Sequence, residues 1–161
     1  MKSAFKIFDS FCSMVNRYVE KICIILVALM IIDVWWGVVS RYVLGWNVTW
    51  TEELARYIMI WAALMAISIG VYHREHIGLE LLFMKLSTPV KKMVLPVLNL
   101  ISTIFFLLLF YYGITMTIDG LTQYAMIFDM TMVVPYASVP VSCFLAMVQM
   151  IRITMLDFKN S

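Results

Sequence analysis

Four long apolar blocks, at about residues 22–43, 54–72, 94–118 and 133–156, are set apart by clusters of charged and turn-forming residues. Each is long enough for a helix to cross a hydrocarbon core of roughly 30 Å, which takes about 20 residues. Four such helices use most of a 161-residue chain and leave no room for a separate soluble domain. With 63% hydrophobic and 14% charged residues, the composition also lies outside the range of ordinary soluble domains. The expectation is an all-α integral membrane protein: four transmembrane helices plus amphipathic interfacial helices, in a single membrane domain spanning 1–161.

Charge distribution predicts the orientation. Lys2, Lys6, Arg17 and Lys21 precede the first block, Arg74, Lys85, Lys91 and Lys92 lie between the second and third, and Arg152 and Lys159 close the chain. These are ten of the twelve basic residues; only Arg41 and Arg56 remain for the other side. By the positive-inside rule both termini and the middle connection are cytoplasmic, and the connections at 41–56 and 119–132 face outward. The first block continues into Asp33, Arg41 and Tyr42 without a small-residue cleavage site, so it reads as a retained signal anchor. A net charge of +2 with no basic stripe gives no reason to expect a nucleic-acid partner.

Taken in order, residues 3–21 repeat apolar positions at helical spacing (Phe8, Phe11, Val15, Tyr18) among Lys6, Asp9, Arg17 and Glu20. Too polar to span, this segment is expected to lie in the membrane surface, as a lipid anchor or a partner-docking arm. Asp33 stands near the middle of the first span, where a carboxylate is costly and should face protein or water. It reads either as a proton or cation site or as a carboxyl that fixes helix packing. The next connection has turn chemistry at Gly45 and Asn47, then Thr49 three residues before Glu52, a capping-box spacing. Glu52 and Glu53 fall in a first turn, and Arg56 is spaced to pair with either. Ala62, Ala66 and Gly70 form a small-residue line of the kind that lets helices approach closely in lipid.

A second interfacial helix is expected over 74–88, ending before Pro89. His73 and His76, three apart in this middle connection, have no matching His in another span to form a haem pair, and read as surface or cap residues. The third span is crowded with aromatic residues and has no acid or base. In the fourth, Pro135 suits a first turn, Pro140 should bend the helix, and Arg152 is placed to snorkel to the headgroups. Cys12, Cys23 and Cys143 lack metal-ligand spacing, and no nucleophile–base set or phosphate loop is present. The residues therefore point to a membrane scaffold, not an enzyme, with no cofactor and no metal.

Ser40-Arg41-Tyr42-Val43-Leu44, then Trp50-Thr51-Glu52-Glu53-Leu54-Ala55-Arg56-Tyr57 and Trp61, resemble the small membrane subunit (Q, or DctQ-like) of tripartite ATP-independent periplasmic (TRAP) transporters. His76-Ile77 followed by Glu80-Leu81 is similar to that family's polar patch after the second helix. Ala66 stands where a Gly is common, and Glu80 where Asp is common. The resemblance implies a bacterial inner-membrane subunit that binds a large multi-spanning M subunit carrying the substrate and sodium sites. It also implies a periplasmic substrate-binding protein that delivers a carboxylate, such as a dicarboxylate, keto acid or sialic acid. On this reading Arg41, Glu52, Glu53 and Arg56 hold the outward end in ion pairs, and membrane lipids surround the bundle. Trp46, Asn47, Asp119, Tyr124 and Asp129 are then placed, by position alone, to meet the binding protein. Two competing readings are a self-contained four-helix multidrug-type carrier, a homodimer using Asp33 for proton coupling, and a cytochrome-type membrane anchor.

Overall fold

The computed structural model describes residues 2–74 and 88–160. They form α1 (Lys2–Tyr42), α2 (Trp50–His73), α3 (Thr88–Asp119), a 3-10 turn (Gly120–Thr122), α4 (Val133–Tyr136) and α5 (Ser138–Asn160). Among the described residues, four stretches are long and apolar enough to cross a membrane: Lys6–Tyr42, Trp50–His73, Val94–Thr122 and Val133–Asp157. The interfacial helix expected at 74–88, with His76, Ile77, Glu80 and Leu81, lies outside the described residues except at Arg74 and Thr88.

α1 packs antiparallel to α2 and α3 packs antiparallel to α5, while α2 and α5 lie side by side and run parallel. The central pair is the more enclosed. A third of the most apolar stretch of the last span is buried inside the chain, against 6% for the first. The outer faces of α1 and α3 therefore remain apolar and open, as lipid or a membrane partner requires.

The core lies where α2, α3 and α5 meet: Val71, Phe106, Cys143, Ala146, Met150 and Ile153. Gly113 allows α3 to approach α5. A Cβ built there would lie 3.0 Å from Val139 Cγ1 and 3.1 Å from the Pro140 ring. Pro140 also accounts for the division of the last span into α4 and α5 at Ala137. Its missing N–H and its ring disfavour continuous helix across the preceding turn.

Of the small-residue line on α2, only Ala62 lies on the buried face. Ala66 is exposed, and nothing stands within 4 Å of a Cβ built at Gly70. The buried face runs instead through Tyr57, Ala62, Met65, Ser68 and Val71. Small side chains permit close approach, but the helices that actually pack against α2 determine which face is covered.

α1 is one unbroken helix of 41 residues, about 60 Å long at 1.5 Å per residue. The segment expected to form a separate arm is thus a direct extension of the first span. Cys12, Asn16 and Val19 are buried, whereas Ile7, Phe11, Met14 and Tyr18 are exposed. Polar ties bind this extension to the bundle. Arg152 Nε donates to Asp9 Oδ1 at 2.6 Å, and its guanidinium lies 4.4 Å from the centre of the Tyr72 ring. Gln149 Nε2 donates to the Cys12 carbonyl at 3.2 Å, and Glu20 meets His73 at 3.0 Å. Arg74 and Asn99 both donate to Asp157, drawing in α2 and α3. Arg152 therefore does not snorkel outward as expected, because a carboxylate and an aromatic face inside the protein take up its charge.

Gly113→Val is expected to overpack the α3–α5 contact and cost about 1–3 kcal/mol. Thermal unfolding in detergent should show a clear fall in Tm. Gly70→Ala, with open space around it, should hold Tm or raise it slightly, because Ala favours helix over Gly.

Candidate partner-docking site

The end of the bundle that carries the 43–49 and 123–132 connections is built from two polar contacts on consecutive residues. Arg41 lies in the last turn of α1, Gly45 turns the chain at φ +67°, and Trp46 N–H donates back to the Ser40 carbonyl at 2.8 Å. This brings Arg41 Nη2 to 2.6 Å from Glu52 Oε1 in the first turn of α2. The pair is open to solvent, with side chains 51% and 65% exposed. Alone it stabilises the fold by no more than about 1 kcal/mol.

Thr49 does not form the capping box that its spacing suggests. Its backbone is already helical (φ −89°, ψ −24°), and its side chain makes no cap hydrogen bond. Glu52, the other half of the box, turns to Arg41, an opposite charge within reach. Thr51 Oγ1 donates to the Val48 carbonyl instead.

Glu53 turns the other way and is buried. Its carboxylate accepts from the Tyr57 hydroxyl one turn later and from Ile127 N–H at 2.9 Å. The backbone N–H groups of Met126 and Phe128 face it as well. The second connection is thereby shaped into a small hairpin. Tyr124 and Thr131 form an antiparallel bridge, with Ala125 N–H to Met130 O at 2.8 Å and Met132 N–H to Gln123 O at 2.9 Å. Asp129 takes the left-handed conformation at φ +49°, which Asp tolerates better than most side chains. Tyr57 also reaches Met132 Sδ at 3.6 Å, and Trp61 Nε1 donates to the Val134 carbonyl at 3.1 Å. Glu53, Tyr57 and Trp61 thus occupy successive turns of α2 and hold successive parts of the second connection.

Arg56 is exposed and makes no ion pair among the described residues, because both acids spaced to meet it are engaged elsewhere. Trp46, Asn47, Asp119, Tyr124 and Asp129 are all exposed. The Glu53–Ile127 bond brings the connections that carry them to one end of the bundle. At the hairpin Met126 is 99% exposed, an apolar side chain that the sequence reading did not single out. Asp33 lies apart from this cluster. It is buried, and neither carboxyl oxygen has a hydrogen-bond partner among the described residues. No group of three or more His, Cys, Asp or Glu able to hold a metal occurs among the described residues.

Four spanning-length helices with loops fastened at one end define a multi-pass membrane protein. The chain belongs to the family of tripartite ATP-independent periplasmic transporters, DctQ component, whose model matches residues 29–160. It is similar to a Haemophilus influenzae protein named TRAP transporter small permease protein, at 34% identity over 77 residues. That match covers 48% of this chain and 48% of the relative, so it spans about half the relative's length. The family makes this chain an inner-membrane transporter component and not an enzyme.

Glu53→Gln should loosen the hairpin without disturbing the helices. The expected result is amide hydrogen exchange at 126–128 faster by about tenfold or more, with exchange in α5 unchanged. Asp33→Leu removes a buried polar group that lacks a partner, a defect worth roughly 1–3 kcal/mol. The isolated chain should then melt a few degrees higher.

Proposed function

We propose that this chain is the immobile scaffold subunit of a secondary-active, sodium-driven TRAP transporter. It would pair as a heterodimer with a large multi-spanning M subunit and receive a periplasmic substrate-binding protein on its loop-bearing end. The transported substrate would be a carboxylate, such as sialic acid or a dicarboxylate. Both termini and the 74–88 connection would face the cytoplasm, following the distribution of Lys and Arg.

The observation that carries this reading is the contrast between the two ends and the middle of the bundle. Ion pairs and hydrogen bonds tie every spanning helix at one end, and the Glu53 cluster fastens the loops at the other. Between them, among the described residues, lie an apolar core, the buried hydroxyls of Ser68 and Ser142, and one isolated carboxyl, Asp33. Ion-coupled carriers place several polar groups along a path at mid-membrane. A bundle fastened at both ends with an apolar middle is suited to stay still while a partner moves. Arg56, unpaired and exposed, would offer its guanidinium to that partner, and the Met126 tip would meet the binding protein.

The test is a mild-detergent pull-down of the tagged chain from native membranes. A much larger polytopic protein should co-elute in stoichiometric amount, and Arg56→Ala should reduce complex yield or uptake severalfold without changing which substrate is chosen. Recovery of the chain only with itself would defeat the scaffold reading in favour of the homodimeric carrier. An altered substrate preference would overturn the role given to Arg56.

A further inference from the structure

A groove of about 320 Å³ opens between α1 and α2 beside the Arg41–Glu52 pair. Its walls change character along a single direction. Of its lining residues, Val34, Gly37, Val38 and Ala55 stand farther along the helices from the 43–49 connection, and Arg41, Tyr42, Thr51 and Glu52 stand nearer to it. Seven residues of α1 separate Val34 from Arg41, which is about 10 Å of helix. Tyr42, Trp46 and Trp50 are all exposed near that connection, and Trp and Tyr concentrate at the level of lipid headgroups. The groove is therefore apolar at acyl-chain depth and charged at headgroup depth.

We propose that this groove binds one phospholipid with a zwitterionic amino headgroup, its phosphate on Arg41, its ammonium on Glu52, and the start of an acyl chain between Val34 and Val38. The charges match in kind and number. The Arg41–Glu52 contact uses one N–H of a guanidinium that has five, and one of two carboxylate oxygens. The pair can persist while the remaining donors take a phosphate and the remaining oxygen takes an ammonium, both as charge-assisted hydrogen bonds. An anionic lipid without an amine would meet the Glu52 carboxylate unfavourably.

The dimensions favour a lipid over a protein segment. A helix is about 10–12 Å across with its side chains. It could only lie across a groove of this volume, and doing so would desolvate a charge pair that is now more than half exposed. A single chain of methylenes can enter. The inference stands apart from the scaffold reading, because it concerns this chain's own surface and is tested without a larger subunit.

The experiment is native mass spectrometry of the full chain in mild detergent with equal amounts of phosphatidylethanolamine and phosphatidylglycerol. The wild type should retain phosphatidylethanolamine preferentially. Glu52→Gln, which leaves Arg41 without its acid, should shift the preference toward phosphatidylglycerol by about fivefold, a charged hydrogen bond discounted for exposure. Arg41→Gln should weaken both lipids, and Val38→Phe, which fills the groove, should do the same. Retention without headgroup preference, or equal retention by wild type, Arg41→Gln and Val38→Phe, would overturn the proposal. A photo-crosslinking residue at Tyr42 in native membranes gives a second readout that needs no groove variant to fold. Labelled phospholipid supports the site, and label found only on protein rules it out.

Discussion

Glu53 sits at the start of a membrane helix, yet its carboxylate is turned away from water and toward backbone N–H groups of a distant loop. Without it those amides would be left to water, and nothing would hold the loop to the helix. The carboxylate gives them one shared acceptor, and Tyr57 fills a further position on it. This contact shapes the hairpin, fixes the return of the chain into α4, and so sets where α5 begins. Glu52, the adjacent residue, is left free to face the other way and hold α1. Two neighbouring acids thus bind opposite sides of the same helix.

The other end, which carries Arg74 and Arg152, is built on a different principle. Asp9, Glu20, His73, Arg74, Asn99, Arg152 and Asp157 come from all four spanning helices and pair across them. Such pairs are individually modest where water reaches them. They matter by direction: each joins two specific helices, which an apolar contact surface surrounded by lipid cannot specify alone. In between, packing relies on close approach, as at Gly113 against Val139 and Pro140.

Much of this architecture is legible in the sequence because a membrane restricts the choices. The four apolar blocks locate the spanning helices, and Arg41 and Glu52 are near enough in sequence to suggest contact across a turn. The remainder depends on long-range pairing. Nothing in the local pattern around Glu53 indicates that its partner is Ile127, 74 residues away, so spacing directed attention to Arg56 instead. The Thr49 capping box failed for a related reason, since a local bond lost to an opposite charge on the neighbouring helix. Ala66 and Gly70 have the composition of a contact face but lie open, because covering a face depends on a neighbour that local sequence does not specify. Arg152 was assigned to headgroups because Asp9, at the opposite end of the chain, could not be seen to approach it.

The continuity of α1 has a mechanical consequence. An α-helix without proline or a bulge bends only gently, so Lys2–Tyr42 acts as a stiff rod. It is clamped near one end by Asp9 on Arg152 and at the other by Arg41 on Glu52. A rod held at two widely separated points resists rotation far better than one held at its centre, because each clamp acts with a long lever arm. Torque applied to the exposed face of α1 by a moving neighbour would therefore be carried into α2 and α5 and resisted there.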